Sequence, residues 1–257
     1  MSTAQVGQMT NTAEEIGPVQ DEQDPLTIER IRGFGLPRGS RCLDLGAGQG
    51  SVAAALAGLV GPSGVTAVDR RPGGALLGLE AGGVTVVAAD VSSWDPGAER
   101  FDLVHARALL THLPDRDTML ARMVSWLSPG GWLLVTDPAD FPLASSPYPI
   151  MRRSGEVLSA LAARMGTDPG WARRYPAQLE ALGLVEVDAD CRLRMMRGGT
   201  REALMLSRLY DRAREPMLKA GLSESELAEI QSLLHSPAYL DLPPAVIRAW
   251  GRRPVSS

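Results

Sequence analysis

The stretch Arg41 to Ser51, Arg-Cys-Leu-Asp-Leu-Gly-Ala-Gly-Gln-Gly-Ser, limits what this chain can fold into more than any other part of it. Cys42 to Leu45 is apolar apart from Asp44 and reads as a short buried strand, and Val52 to Leu59 carries a helical pattern. Between them, Gly46, Gly48 and Gly50 let the backbone turn sharply and are expected to leave bare N–H groups at a helix start, where a ligand can lie against the main chain. The spacing is Gly-x-Gly-x-Gly, and Ser51 stands where the dinucleotide fingerprint wants its third glycine. That departure disfavours a nicotinamide-dependent oxidoreductase.

Downstream, strand and helix patterns alternate. Val65 to Asp69 is an apolar run ending in an acid about 20 residues past the glycines, where a carboxylate can accept both hydroxyls of a ribose. Arg70 follows and could lie on an adenine face. Val84 to Ala89 reads as a third strand, Phe101 to Arg107 as a fourth, Asp117 to Leu127 as a helix and Trp132 to Asp137 as a fifth strand. This alternation predicts an α/β fold, a mostly parallel sheet with helices on both faces.

Asp44 ahead of the glycines, Phe-Asp-Leu-Val at 101–104 and Leu-x-Pro-Gly-Gly-x-Leu from Leu127 stand in the order and at the distances of motifs in class I S-adenosylmethionine-dependent methyltransferases, which the chain resembles. The resemblance covers about residues 25 to 137, resumes at Leu179 to Val187 as a helix end and sixth strand, and is closest to small actinobacterial methyltransferases with a Val-His-Ala-Arg strand end, many of them tied to natural products. It implies a Rossmann-like sheet of seven strands whose last strand, here Pro244 to Trp250, is antiparallel. It further implies S-adenosylmethionine as cofactor, S-adenosylhomocysteine as product, and a cofactor site made of Asp44, Gly46, Ala47, Gly48, Gly50, Asp69, Arg70, Asp90, Val91, Ala106 and Arg107. In that family the acid at Asp90 takes a hydrogen bond from the adenine amino group and the N–H at Val91 reaches a ring nitrogen. Read from the residues alone, Asp90 could equally cap a turn with Ser92 and Ser93.

The rest of the chain adds less. Met1 to Asp24 is polar and acidic and reads as a mobile arm, followed by a helix from Pro25 to Phe34 and one domain to residue 257. Two segments lie outside the core pattern, about 138–176 and 199–236, and are expected to be helical lid insertions over the substrate. The second contains helices at Arg201 to Ala220 and Ser223 to Leu234, with Ser223 and Glu226 spaced as a capping box. A net charge of −4 argues against a nucleic-acid surface, and no apolar run approaches a membrane span, so a cytoplasmic protein with a small-molecule substrate is expected, a homodimer being left open. Cys42 and Cys191 have no metal spacing, and no catalytic metal is expected.

Because the cofactor would bring the activated methyl group, little acid or base chemistry is required of the protein. If the acceptor must lose a proton, His105 at the end of the fourth strand is the candidate base, with His112 behind it. Arg107 could hold a substrate carboxylate or bridge to Asp102 or Asp137. The competing readings are a non-methylating enzyme on the same fold, such as a cyclase, and a non-enzymatic binding partner, which would show a spoiled cofactor site.

Overall fold

The computed structural model describes residues 13–139, 142–164, 166–168 and 170–255, with side chains from residue 23 onward. It divides into two compact units.

The first, Glu22–Asp137, Ala172–Asp190 and Ile247–Ser257, is organised by a seven-stranded sheet. In chain order its elements are α1 (Ala13–Gly33), β1 (Cys42–Leu45), α2 (Ser51–Val60), β2 (Val65–Asp69), α3 (Gly74–Gly78), β3 (Thr85–Ala88), β4 (Phe101–Arg107), α4 (Arg116–Ser125) and β5 (Leu127–Ala139). The sheet order is β3-β2-β1-β4-β5 followed by β9 (Ala245–Arg252) and then β6 (Val185–Cys191) at the edge. The pairs among β1 to β5 are parallel. β9 exchanges hydrogen bonds with β5 in antiparallel fashion, Gly130 N to Arg253 O at 2.9 Å and Arg253 N to Gly131 O at 2.8 Å. The expected seven-stranded, Rossmann-like sheet with an antiparallel last strand is thus present.

One face of this sheet is sealed by α1 and α2. Ile31 of α1 and Val52, Ala53, Leu56 and Val60 of α2 share a buried core with Cys42, Leu103, Leu134 and Trp250 of the strands, and Phe34 stacks on Trp132 at 4.5 Å. Alternation along the strands then assigns Asp44, His105, Arg107 and Thr136 to this face, because each lies an even number of residues from one of those core positions.

Local structure departs from expectation in several places. α1 begins at Ala13 instead of Pro25, so residues 13–24, expected within a mobile arm, are helical; residues 1–12 of that arm lie outside the described residues. Its sheet-side anchor is visible at Gln23, which is buried, and at Asp24, which pairs with Arg107. The Ser-Pro-Gly-Gly turn before β5 is drawn into the strand by its bonds to Arg253, with Gly130 at φ 79° as the extra residue of a bulge.

The second unit contains Pro138–Trp171 and Cys191–Val246, most of the two segments expected as insertions, although 172–176 belongs with the sheet. It holds α5 (Pro149–Arg164), the short antiparallel pair β7 (Met196–Arg197) and β8 (Leu240–Asp241), and α7 (Arg201–Arg212), α8 (Arg214–Lys219) and α9 (Glu224–His235); α6 (Tyr175–Ala181) precedes β6 in the sheet unit. Its own core joins Leu143, Met151, Leu206, Met217, Ile230 and Tyr239. The single helix expected over 201–220 is broken at Ala213, since Pro216 has no N–H to give the Arg212 carbonyl. The capping box is formed, Ser223 Oγ accepting from Glu226 N at 3.2 Å and Glu226 Oε2 from Ser223 N at 2.7 Å.

Candidate functional site

The glycine turn leaves β1 and enters α2 with φ of 68° at Gly46, 55° at Gly48 and 85° at Gly50. Four of its N–H groups are engaged within the chain. Gly46 and Ala47 donate to the Val68 carbonyl at 2.8 and 3.2 Å, Gly48 to Asp69 Oδ2 at 2.8 Å, and Gly50 to the Ala47 carbonyl at 2.8 Å. The reason is register: Leu45 is paired with Val68, so the chain leaving β1 passes directly over the end of β2. What the turn offers a ligand is space. A Cβ at Gly48 would meet nothing closer than the Gly46 carbonyl at 4.0 Å, whereas one at Gly50 would come within 3.0 Å of the Leu76 Cα.

Asp69 ends β2 with both carboxylate oxygens engaged, Oδ2 by Gly48 N and Oδ1 by Arg71 N at 2.7 Å. Each oxygen keeps a second lone pair for a further donor. Ala89 N donates to the Asp69 carbonyl, which holds Asp90 just beyond the neighbouring strand end. There Asp90 Oδ1 accepts from Ser92 N at 2.9 Å and the Asp90 carbonyl from Ser93 and Trp94, the turn-capping arrangement, beside buried Val91. Arg70 reaches toward Asp90 at 3.8 Å, with both groups largely exposed.

Asp44 and His105 lie opposite one another on β1 and β4. Nδ1 of His105 is 2.7 Å from Oδ1 of Asp44, and both residues are buried. A carboxylate oxygen accepts, so the ring nitrogen Nδ1 is the donor of this bond. Asp44 Oδ2 and His105 Nε2 are buried with no hydrogen-bond partner. Ala106 follows, buried, on the opposite face.

Arg107 makes neither of the bridges expected of it. Its guanidinium contacts Asp24 at 2.6 Å, Ser51 Oγ at 3.4 Å and Thr27 Oγ1 at 3.4 Å, and Ser51 Oγ donates to Asp24 at 3.1 Å. Strand alternation is the cause: Arg107 is paired with Thr136 and shares its face, so Asp137 points the other way. Asp102 instead accepts from Arg41 N. Asp24 and Thr27 went unrecognised in the sequence; extending the helical pattern of Ile31 back by four and seven residues would have found them.

Asp137 accepts from the Tyr175 hydroxyl and from Thr111 N at 3.4 Å. Burial raises its carboxyl from the ordinary 3.8 to about 7, against the opposing pull of those bonds, of a bond from Leu109 N and of the Arg116 charge. The Tyr175 hydroxyl is raised well above its usual value, by burial first and then by Asp137. His112 is exposed on a short turn, Leu110–His112, outside this buried set. Among the described residues no group of three or more His, Cys, Asp or Glu side chains could hold a metal ion, and no helix is long and apolar enough to cross a membrane.

Residues 23–180 match the family described as "Methyltransferase domain". Among similar proteins, "Trans-aconitate 2-methyltransferase" of Methylobacterium radiotolerans is 33% identical over 165 residues, 63% of this chain and 60% of that protein. "Methyltransferase str2" of Strobilurus tenacellus is 33% identical over 100 residues, 38% of this chain and 35% of that protein. The chain therefore spans less than two thirds of the length of these relatives. Among solved structures, a Haemonchus contortus phosphoethanolamine N-methyltransferase 2 bound to phosphomonomethylethanolamine and S-adenosylhomocysteine superposes with a TM-score of 0.58 at 20% identity, covering 90% of this chain and 52% of that one. That likeness is one of fold.

Proposed function

The chain belongs to the methyltransferase-domain family, and we propose that it transfers a methyl group from S-adenosylmethionine to a small-molecule acceptor. The observation that carries this reading is the open space at Gly48 beside the Asp69 carboxylate. A backbone without Cβ, next to a carboxylate with spare lone pairs at a parallel strand end, fits an adenosine-bearing ligand.

On this reading Asp69 takes the ribose hydroxyls, Asp90 and the Val91 N–H take the adenine edge with Arg70 beside it, and the Gly46–Gly50 turn, Ala106 and Arg107 line the methionine end. The cofactor supplies a methyl group already activated on a sulfonium. The residues bind, orient and exclude water, which suffices for in-line transfer when the acceptor is held close. On this reading His105 holds Asp44 in place through the bond at its Nδ1 and is assigned no proton-transfer role. His112 is likewise assigned no proton-transfer role.

The acceptor is assigned to the natural-product intermediates and the protein to the cytoplasm. Calorimetric binding of S-adenosylmethionine, then release of one S-adenosylhomocysteine per methylated product, tests the reading. Failure to bind would sink it, and turnover of an acceptor without S-adenosylhomocysteine would make the chain a non-methylating enzyme on this fold.

A further inference from the structure

The face of the sheet under α1 carries a polar row that cofactor binding does not use in full. Arg107 is paired with Thr136 across β4 and β5. Counting along β5 and β9 from the bonds between Gly131 and Arg253 puts Trp132 opposite Arg252, Leu134 opposite Trp250 and Thr136 opposite Arg248. The Arg252 guanidinium over the Trp132 ring and the shared core of Leu134 and Trp250 agree with this count. Arg248 therefore lies two strands from Arg107 at the same level, about 10 Å away at ordinary strand spacing. That level is also that of Gly46, since Leu45 is paired with Ala106 one residue earlier.

Arg107 is matched by Asp24, but Arg248 and Arg30 share the one carboxylate of Asp190, at 2.5 Å and 3.7 Å. Arg30 also lies 3.7 Å over the Trp250 ring. Arg248 is 1% exposed and Thr136 is 0% exposed. Even so, Arg248 Nε, Arg30 Nε and Thr136 Oγ1 are all buried without a hydrogen-bond partner. Interiors rarely leave donors of charged groups unmet, and a cluster of them marks a place for a missing acceptor.

We propose that Arg248, Arg30 and Thr136 form a subsite for a carboxylate group of the acceptor, which makes small organic acids the substrate class; this rests on the methyl-transfer reading above. Guanidinium groups only donate, in a planar fork that matches a carboxylate, and the Thr136 hydroxyl can donate as well. The position at the carboxyl ends of parallel strands, level with the glycine turn, is where ligands of such sheets bind.

The test is titration of fumarate, citrate and benzoate, each alongside its methyl ester, into protein saturated with S-adenosylhomocysteine. At least one free acid should bind, with its ester tenfold weaker or more. Arg248→Met should weaken that acid tenfold or more while S-adenosylhomocysteine affinity stays within twofold; Asp190 keeps Arg30 as partner in this variant. Thr136→Val, which conserves shape, should weaken it severalfold with unchanged thermal unfolding. The subsite is overturned if no acid binds the loaded protein, if ester and acid bind alike, or if both variants bind the acid as wild type does. Loss of S-adenosylhomocysteine binding itself is read separately, before any acid is added, and counts against the methyl-transfer reading instead.

Discussion

His105 Nδ1 and Asp44 Oδ1 are 2.7 Å apart on adjacent parallel strands, Asp44 one residue short of the end from which the glycine turn departs and His105 two residues short of Arg107. The pair is positioned by register, and both side chains are buried. Asp44 stands two residues before Gly46, the first glycine of the turn.

His105→Ala should therefore look like a structural lesion with a binding consequence. It leaves the Asp44 carboxylate buried and unpaired, at a cost of about 3 kcal/mol. Urea denaturation should show that loss, and cofactor affinity should fall, while turnover at saturating cofactor drops by less than about tenfold, the effect of a missing base being larger. His105→Asn, whose amide can still donate to Asp44, should recover most of the stability. A hundredfold loss of turnover with stability and affinity intact would restore His105 as a base.

Asp69→Ala removes the acceptor of the Gly48 N–H and, on the methyl-transfer reading, the acceptor for the ribose hydroxyls. Charge-assisted bonds of this kind contribute about 2 to 3 kcal/mol, so calorimetry should show S-adenosylhomocysteine affinity reduced by tens to hundreds of fold. Unchanged affinity would remove Asp69 from the site.

Gly48 and Gly50 have positive φ for different reasons, and their alanine variants should separate. At Gly50 the new Cβ meets the Leu76 Cα and side chain at 3.0 Å or less, so Gly50→Ala should cost about 2 to 3 kcal/mol of stability. At Gly48 it projects into open space, so stability should fall by only about 1 kcal/mol while cofactor affinity falls further. Equal stability losses at the two positions would mean that the space at Gly48 is not a ligand space.

The sheet was legible because its strands are apolar runs separated by turn residues, and β1, β2, β4 and β5 end within two residues of their predicted ends. The acids at strand ends followed directly, since Asp69 and Asp90 need only a strand and a turn to be placed. Partners that depend on which face a strand residue takes did not. Arg107 was expected to meet Asp102 or Asp137, and only the α1 face decides for Asp24. The Asp44 to His105 contact needs the knowledge that β1 and β4 are neighbours in register, which no local pattern carries. The break at Ala213 was readable from Pro216, but the amphipathic pattern across it outweighed the proline.

Asp137 supplies a pH dependence of stability with a definite sign. Burial lifts its folded carboxyl from 3.8 to about 7, so the unfolded chain ionises first as pH rises. Stability contributed by the protonated form is complete below about pH 4 and is lost progressively up to about pH 7, a total on the order of a few kcal/mol, beyond which this group adds no slope. Asp137→Asn cannot ionise, yet its amide oxygen can still accept from the Tyr175 hydroxyl, so the variant should lack this slope. Urea unfolding of wild type and Asp137→Asn between pH 4 and 8 should show the variant gaining on wild type steadily to about pH 7 and holding level above it. Two curves that run parallel through that range would show that Asp137 ionises in the folded protein at its ordinary value, with Tyr175, Thr111 and Arg116 outweighing burial.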